Sequence, residues 1–236
     1  MRSIWVVLFA SVLLHVSAAA VAQDGGDVTD GVSGSPGARG LLAEFRPRFY
    51  VRGGGALVLP ADVDLESDSL GFTGDDEFLR SDVGFGYHAA AGLRFVPEGS
   101  RYGTGLRIEF EFADRRYDTD GIGRDGDGIF RDVDGRVDTM TFMGNILADV
   151  SFDSFRGYGG IGFGVAEVDV RAEGLSDSDT NFALQIPFGI ETKLLPHVYL
   201  DTGCRFLFVP SVDTDTILSE FSVLTAELYL GLTLEI

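Results

Sequence analysis

The chain has 236 residues with 37 acidic against 18 basic side chains, a formal charge of -19, and this excludes nucleic acid, whose phosphates call for Lys and Arg. Its one cysteine, Cys204, excludes an internal disulfide. With 32 Gly, 19 Phe and only 7 Pro, the composition suits many strands better than helices.

Residues 1–22 read as a signal peptide. Arg2 supplies the positive start, Ile4 to Leu14 the apolar run, and Ala20-Val21-Ala22 the small-residue site for cleavage before Gln23. The run is too short for a membrane-spanning helix, so the protein is expected to be exported. Residues 23–47, rich in Gly, Asp and Ser and without periodicity, are expected to form a flexible leader. No later stretch approaches 18 continuous apolar residues, which excludes ordinary membrane helices. The mean hydropathy is nevertheless positive, because the apolar residues alternate instead of clustering.

From residue 48 to 236 the alternation predicts eight strands, at about 48–59, 82–96, 103–114, 138–152, 156–170, 180–194, 197–209 and 222–236. The gaps between them alternate in length. Residues 60–81, 115–137, 171–179 and 210–221 make long connections, whereas 97–102, 153–155 and 195–196 make tight ones. That is the pattern of an eight-stranded antiparallel up-and-down transmembrane β-barrel. A soluble eight-stranded barrel of the lipocalin kind is the competing architecture, and its outside would be polar.

The two faces of each strand decide between these. In the third strand Leu106, Ile108, Phe110 and Phe112 oppose Arg107, Glu109 and Glu111. In the last, Leu224, Leu228, Leu230, Leu232, Leu234 and Ile236 oppose Thr225, Glu227, Tyr229, Gly231, Thr233 and Glu235. The interior of an eight-stranded barrel is too narrow for the bulky sets, so they are expected to face lipid. Arg52, Arg94, Arg107, Lys193 and Arg205 then meet Glu109, Glu111, Asp149, Glu191, Asp201, Glu227 and Glu235 inside. A buried charge without a partner is expensive, so these twelve are expected to form an ion-pair network that plugs the lumen. On this reading Arg107→Ala or Arg205→Ala should open it.

Three segments carry a family resemblance: Asn145 to Val150, Arg156 to Ala166 with its repeated glycines, and the terminal Tyr229-x-Gly-x-x-Leu-x-Ile236. With Phe188-Gly-Ile-Glu-Thr-Lys193, they make the chain resemble the OmpA-type and opacity-type eight-stranded outer-membrane β-barrels of Gram-negative bacteria. Those proteins usually end on Phe, where this chain has Ile236. The resemblance implies a place in the bacterial outer membrane. It also implies contact with outer-membrane lipid and lipopolysaccharide, insertion by the barrel assembly machinery, and a role in envelope integrity or adhesion to an extracellular ligand or surface. A narrow porin-like channel for ions or small solutes is the alternative, and a lipid A-modifying enzyme a third.

No cofactor and no enzymatic activity are expected. In the stretch from Asp118 to Gly135 Asp alternates with Gly as in calcium loops, which makes Asp118, Asp120, Asp125 and Asp127 candidate ligands. The spacing misses the EF-hand pattern and no Glu closes it, so a solvated acidic loop is the preferred reading and no metal site is assigned. His88, predicted to face inward, is the candidate for an acid–base group; a bare hydrogen-bonding role is the simpler one. Cys204 falls on the apolar face as a small apolar residue.

Overall fold

The computed structural model describes residues 45–61, 63–64, 77–97, 103–124, 128–152, 154–172, 175–212 and 221–236. The segments expected to be the signal peptide and most of the leader lie outside these residues. Among the described residues there are ten strands: β1 (Phe45–Pro60), β2 (Val63–Asp64), β3 (Glu77–Ser81), β4 (Gly84–Pro97), β5 (Thr104–Arg124), β6 (Gly128–Ser151), β7 (Phe155–Ala172), β8 (Leu175–Leu195), β9 (Val198–Val212) and β10 (Phe221–Glu235). Strands β1 and β4 to β10 form a closed antiparallel ring, each beside its neighbour in sequence, with β1 lying between β4 and β10 and β5 paired with β6. Closure leaves no free edge around the ring. The short β2 and β3 extend the sheet beyond the ring, where Glu77 pairs with Arg124 of β5.

The terminal strand is a structural member of this ring. It pairs with β9 on one side and β1 on the other, Leu230 standing opposite Thr202 and Gly55. Its end is tied down by backbone bonds from Glu235 N to His197 O and from Ile236 N to Phe49 O, both 2.9 Å. At this end of the ring β8 and β9 are joined by Pro196 and His197 alone, His197 taking the left-handed φ of 68°. This is the turn end; the opposite one is the loop end.

Strand β1 starts at Phe45, before the start of about residue 48 expected for the first strand. A larger correction concerns 115–137. Instead of a loop, most of it is strand, a hairpin in which Asp118 stands opposite Arg136 and Arg124 opposite Gly128. Likewise β7 and β8 run on to Ala172 and from Leu175, their ends paired. In this stretch the alternation continues but its sense changes, the apolar residues passing from the outward to the inward face.

That change organises the molecule. Along β5 the outward residues are Leu106, Ile108, Phe110 and Phe112, and then Asp114, Arg116 and Asp118. Along β7 they are Ile161, Phe163 and Val165, and then Glu167, Asp169 and Arg171. Where the outside turns ionic, the inside turns apolar: Tyr117, Val137, Val168 and Val170 are buried. Below the boundary the strands are greasy outside and ionic inside, as lipid demands. Above it they follow the rule for a sheet in water.

Candidate functional site

The inward faces build a lumen with two storeys. The storey at the turn end is ionic. Among the described residues, six buried arginines (Arg52, Arg94, Arg107, Arg115, Arg156 and Arg205) meet seven buried carboxylates (Glu109, Glu111, Asp149, Glu191, Asp201, Glu227 and Glu235). Arg48, from the exposed rim, lies 3.4 Å from Glu235 and brings the guanidiniums to seven, so opposite charges match in number.

Arg107 is the hub at the turn end. Its Nε donates to Asp149 at 2.6 Å, and its two Nη atoms take both oxygens of Glu191 at 2.6 and 2.9 Å. Arg94 reaches the other oxygen of Asp149 at 2.7 Å and Glu235 at 2.9 Å. Arg156 joins Glu191 at 3.3 Å and also pairs with Glu235. Midway, Arg52 bridges Glu109 at 2.6 Å, Glu111 at 3.0 Å and Asp201 at 3.2 Å. Arg205 continues from Glu111 at 2.8 Å to Glu227 at 3.2 Å, and Arg115 closes the series on Glu227 at 2.5 Å. Because each arginine presents a planar fork of donors, one side chain can hold two or three carboxylates at once.

Neutral side chains occupy remaining acceptor positions. Tyr50 donates to Glu109 at 2.7 Å, Tyr158 to Asp201 at 2.6 Å, and Asn145 to Glu109 at 2.8 Å. Gln185 donates to Asn145 at 2.6 Å and to Glu111 at 3.1 Å. The aromatic rings carry cations on their faces: the Arg107 guanidinium lies 4.7 Å from the Tyr158 ring centre and that of Arg205 5.2 Å from Tyr229. Glycine makes the room. Tyr229 stands directly opposite Gly203, and Tyr158 opposite Gly189. A Cβ on Gly203 would lie 2.6 Å from the Tyr229 ring, and one on Gly189 2.8 Å from the Tyr158 hydroxyl.

Toward the loop end the inward faces of the described residues turn mainly apolar, with Thr119 and Thr225 buried among them. Val58, Tyr117, Val137, Met143, Ala166, Val168, Val170, Ala183, Leu207, Val209, Val212 and Val223 make one buried cluster.

Of the twelve lumen residues expected from sequence, eleven are brought together as described. Lys193 is not among them: it is exposed at the rim, where a register shift between Lys193 and Leu195 breaks the alternation just before the Pro196-His197 turn. Sequence reasoning missed Arg115 and Arg156, the first because it was assigned to a loop, the second because it opens its strand. Both alternate in step with known inward residues, Arg115 with Glu111 and Arg156 with Tyr158, which was the available signal. The apolar storey was missed too; its signal was the charged run Glu167, Asp169, Arg171 with valines between.

His88 is buried, edge-on to Tyr229 with ring centres 5.1 Å apart, and among the described residues neither ring nitrogen has a hydrogen-bond partner. Asp118 stands outside the barrel, 3.0 Å from Arg136 Nε; Asp125, Asp127 and the side chain of Asp120 lie outside the described residues. Among the described residues no group of three or more His, Cys, Asp or Glu converges as metal ligands. Cys204 is half-buried on the outward face, opposite Leu228 and Phe188.

The chain is similar to several solved structures. Neisserial surface protein A (NspA) is similar at 20% identity and a TM-score of 0.48, over 80% of this chain and 97% of that one. Ail, the attachment invasion locus protein of Yersinia pestis, is similar at 15% identity and a TM-score of 0.41, over 80% and 98%. The outer membrane protease OmpT of Escherichia coli is similar at 8% identity and a TM-score of 0.43, over 89% and 100%. A comparison with curated proteins returns no match. The sequence itself matches the model of the outer membrane protein beta-barrel domain over residues 7–222, nearly its whole length, and the chain therefore belongs to that family of bacterial outer-membrane barrels.

Proposed function

We propose that the protein is a structural and surface-interaction barrel, a sealed cylinder that holds its loop end at the cell surface and contributes to envelope integrity or adhesion. The observation that supports this reading is the filling of the lumen, with an ion-pair network from Arg94 to Arg115 and a cluster of buried apolar side chains above it. A charged network braced across the axis suits a rigid support for the outer connections, which in outer-membrane barrels are the long ones. The acidic stretch of sequence between β1 and β4, with Asp62, Asp64, Glu66 and Asp68, suits a cationic surface or ligand.

The ionic lumen also motivates the reading as a narrow channel, which requires both storeys to part. Recording from the full chain in planar bilayers separates the two: silence is expected, and a steady conductance would replace the structural reading with the channel. For the enzymatic reading an acid–base group would need a positioned partner, and among the described residues neither nitrogen of His88 has a hydrogen-bond partner. Outer-membrane fractionation together with heat-modifiable migration on a gel tests the barrel itself.

A further inference from the structure

Two strands of the ring outlast their pairing with each other. β8 and β9 are paired from Leu195 opposite Val198 as far as Leu184 opposite Phe208. Beyond that level β8 continues to Leu175 with β7 beside it, and β9 continues to Val212 with β10 beside it. The next pair across the seam would be Phe182 with Pro210. Proline has no amide hydrogen to give, so the ladder stops there. Among the described residues no strand lies beside Ser176, Ser178, Thr180 and Phe182 on the side away from β7.

This open edge is about 23 Å long at the rise of an extended chain, and most of it stands in water. The outward residues change from Leu184 and Phe182 to Thr180, Ser178 and Ser176, at the level where those of β7 change from Val165 to Glu167. The amides of Ser178 and Thr180 donate to the carboxylates of Asp177 and Asp179, at 2.9 and 2.8 Å, and not to β7. By the alternation of an antiparallel ladder, the amides of Ser176 and Phe182 point the same way. Carboxylates on the backbone keep an ordinary strand from adding to an edge. The charge around the seam is one-sided as well. Glu167, Asp169, Asp177 and Asp179 stand there against Arg171 alone on β7 and β8, and residues 213–220, between β9 and β10, contain Asp213, Asp215 and Glu220 with no base.

We infer that the edge of β8 from Ser176 to Phe182 is a docking site for a cationic extended segment of a partner protein, which adds as a strand beside β8. The inference rests on the surface-interaction reading above and names the partner's chemistry. Lysine or arginine on the face that the added strand shares with Asp177 and Asp179 draws those carboxylates off the amides of Ser178 and Thr180. The amides then bond the incoming backbone. Main-chain bonds supply the affinity and the alternate side chains the selection, so an uncharged strand meets donors that are still covered.

The test uses the full chain in phosphatidylcholine nanodiscs, whose lipid carries no net charge, with fluorescent peptides of about nine residues, a usual strand length. One alternates Lys with Thr, a second alternates Gln with Thr, and a third is the first with every amide methylated. Anisotropy reads binding, with empty nanodiscs as the blank. The Lys peptide is expected to bind about tenfold tighter than the Gln peptide, and the methylated one not at all. S178P/T180P, which removes two edge amides outside the β7 ladder, should lose the Lys peptide, and D177A/D179A should bind the Lys and Gln peptides alike. Equal binding of those two peptides by the unaltered chain overturns the inference. So does undiminished binding of the methylated peptide, which would mean charge attraction without strand addition and needs no variant to fold. Binding that appears only after 213–220 is replaced by Gly and Ser would place the chain's own segment on the edge, and a peptide-resistant dimer would place a second copy there; either overturns it too. Heat-modifiable migration and outer-membrane fractionation are followed in parallel. If they persist while the peptide preference is missing, only the docking site fails; if they are lost in the unaltered chain, the barrel reading fails with it.

Discussion

Arg107 on β5 grips Glu191 on β8 through two parallel hydrogen bonds, 2.6 and 2.9 Å, across the inside of the barrel. The two residues are 84 positions apart in the chain, and both are fully buried. Strands that are not neighbours in the ring are thereby tied directly to one another.

Arg107→Ala leaves Glu191 and Asp149 buried with fewer partners. Breaking a buried pair from one side costs about 3–5 kcal/mol, so the urea midpoint for unfolding in lipid vesicles should fall by the corresponding amount. The lumen should nonetheless stay shut, because the hydrocarbon storey does not depend on Arg107. Conductance from the single variant would show that the ionic storey alone is the seal.

Leu207 lies in the upper storey with no exposed surface. Leu207→Ala should cost about 2–5 kcal/mol through the cavity it leaves, and should also be silent in planar bilayers. Only the combination of Arg107→Ala with Leu207→Ala is expected to give measurable ion flow. Silence from a folded double variant would count against the two-storey seal.

Phe110→Arg puts a charge on the greasy face. At mid-membrane depth the change costs about 2–4 kcal/mol in a transmembrane barrel, measurable as a lowered unfolding free energy in phospholipid vesicles. A soluble barrel would register almost nothing at so exposed a position.

Gly203→Leu forces Tyr229 off its seat, since even a Cβ there comes within 2.6 Å of the ring. Overpacking of this kind costs about 1–3 kcal/mol. Gly144→Ala, at a glycine that looks outward into space, serves as the control and should leave the unfolding midpoint nearly unchanged.

Outside the apolar band, the hydrogen bonds from Arg171 hold the Asp169 carboxyl below the usual carboxylate range. A depressed value means that the pair contributes at neutral pH and is lost only as pH falls through the lowered value, below the ordinary aspartate figure of about 3.9. Carboxyl NMR should find Asp169 titrating low in the unaltered chain, and returning toward the ordinary range in Arg171→Gln. No difference between the two would mean that the pair does not form in solution.

The period-two pattern alone settled that this chain is a ring of two-faced strands, and which residues share a face. Side chains alternate strictly along a strand, so Phe110 outside and Arg107 inside follow from their positions once the narrow interior is considered. Which arginine meets which carboxylate was beyond that reading. The level at which Arg107, Asp149 and Glu191 coincide is set by the registers of β5, β6 and β8, and no single strand encodes it. The upper storey, too, emerged only with the folded ring, although its trace was present where valine and charge exchange faces after Val165. A strand leaving lipid for water keeps its hydrogen bonds and reverses its preferences, and only the paired neighbours show that 115–137 continues as strand through that reversal.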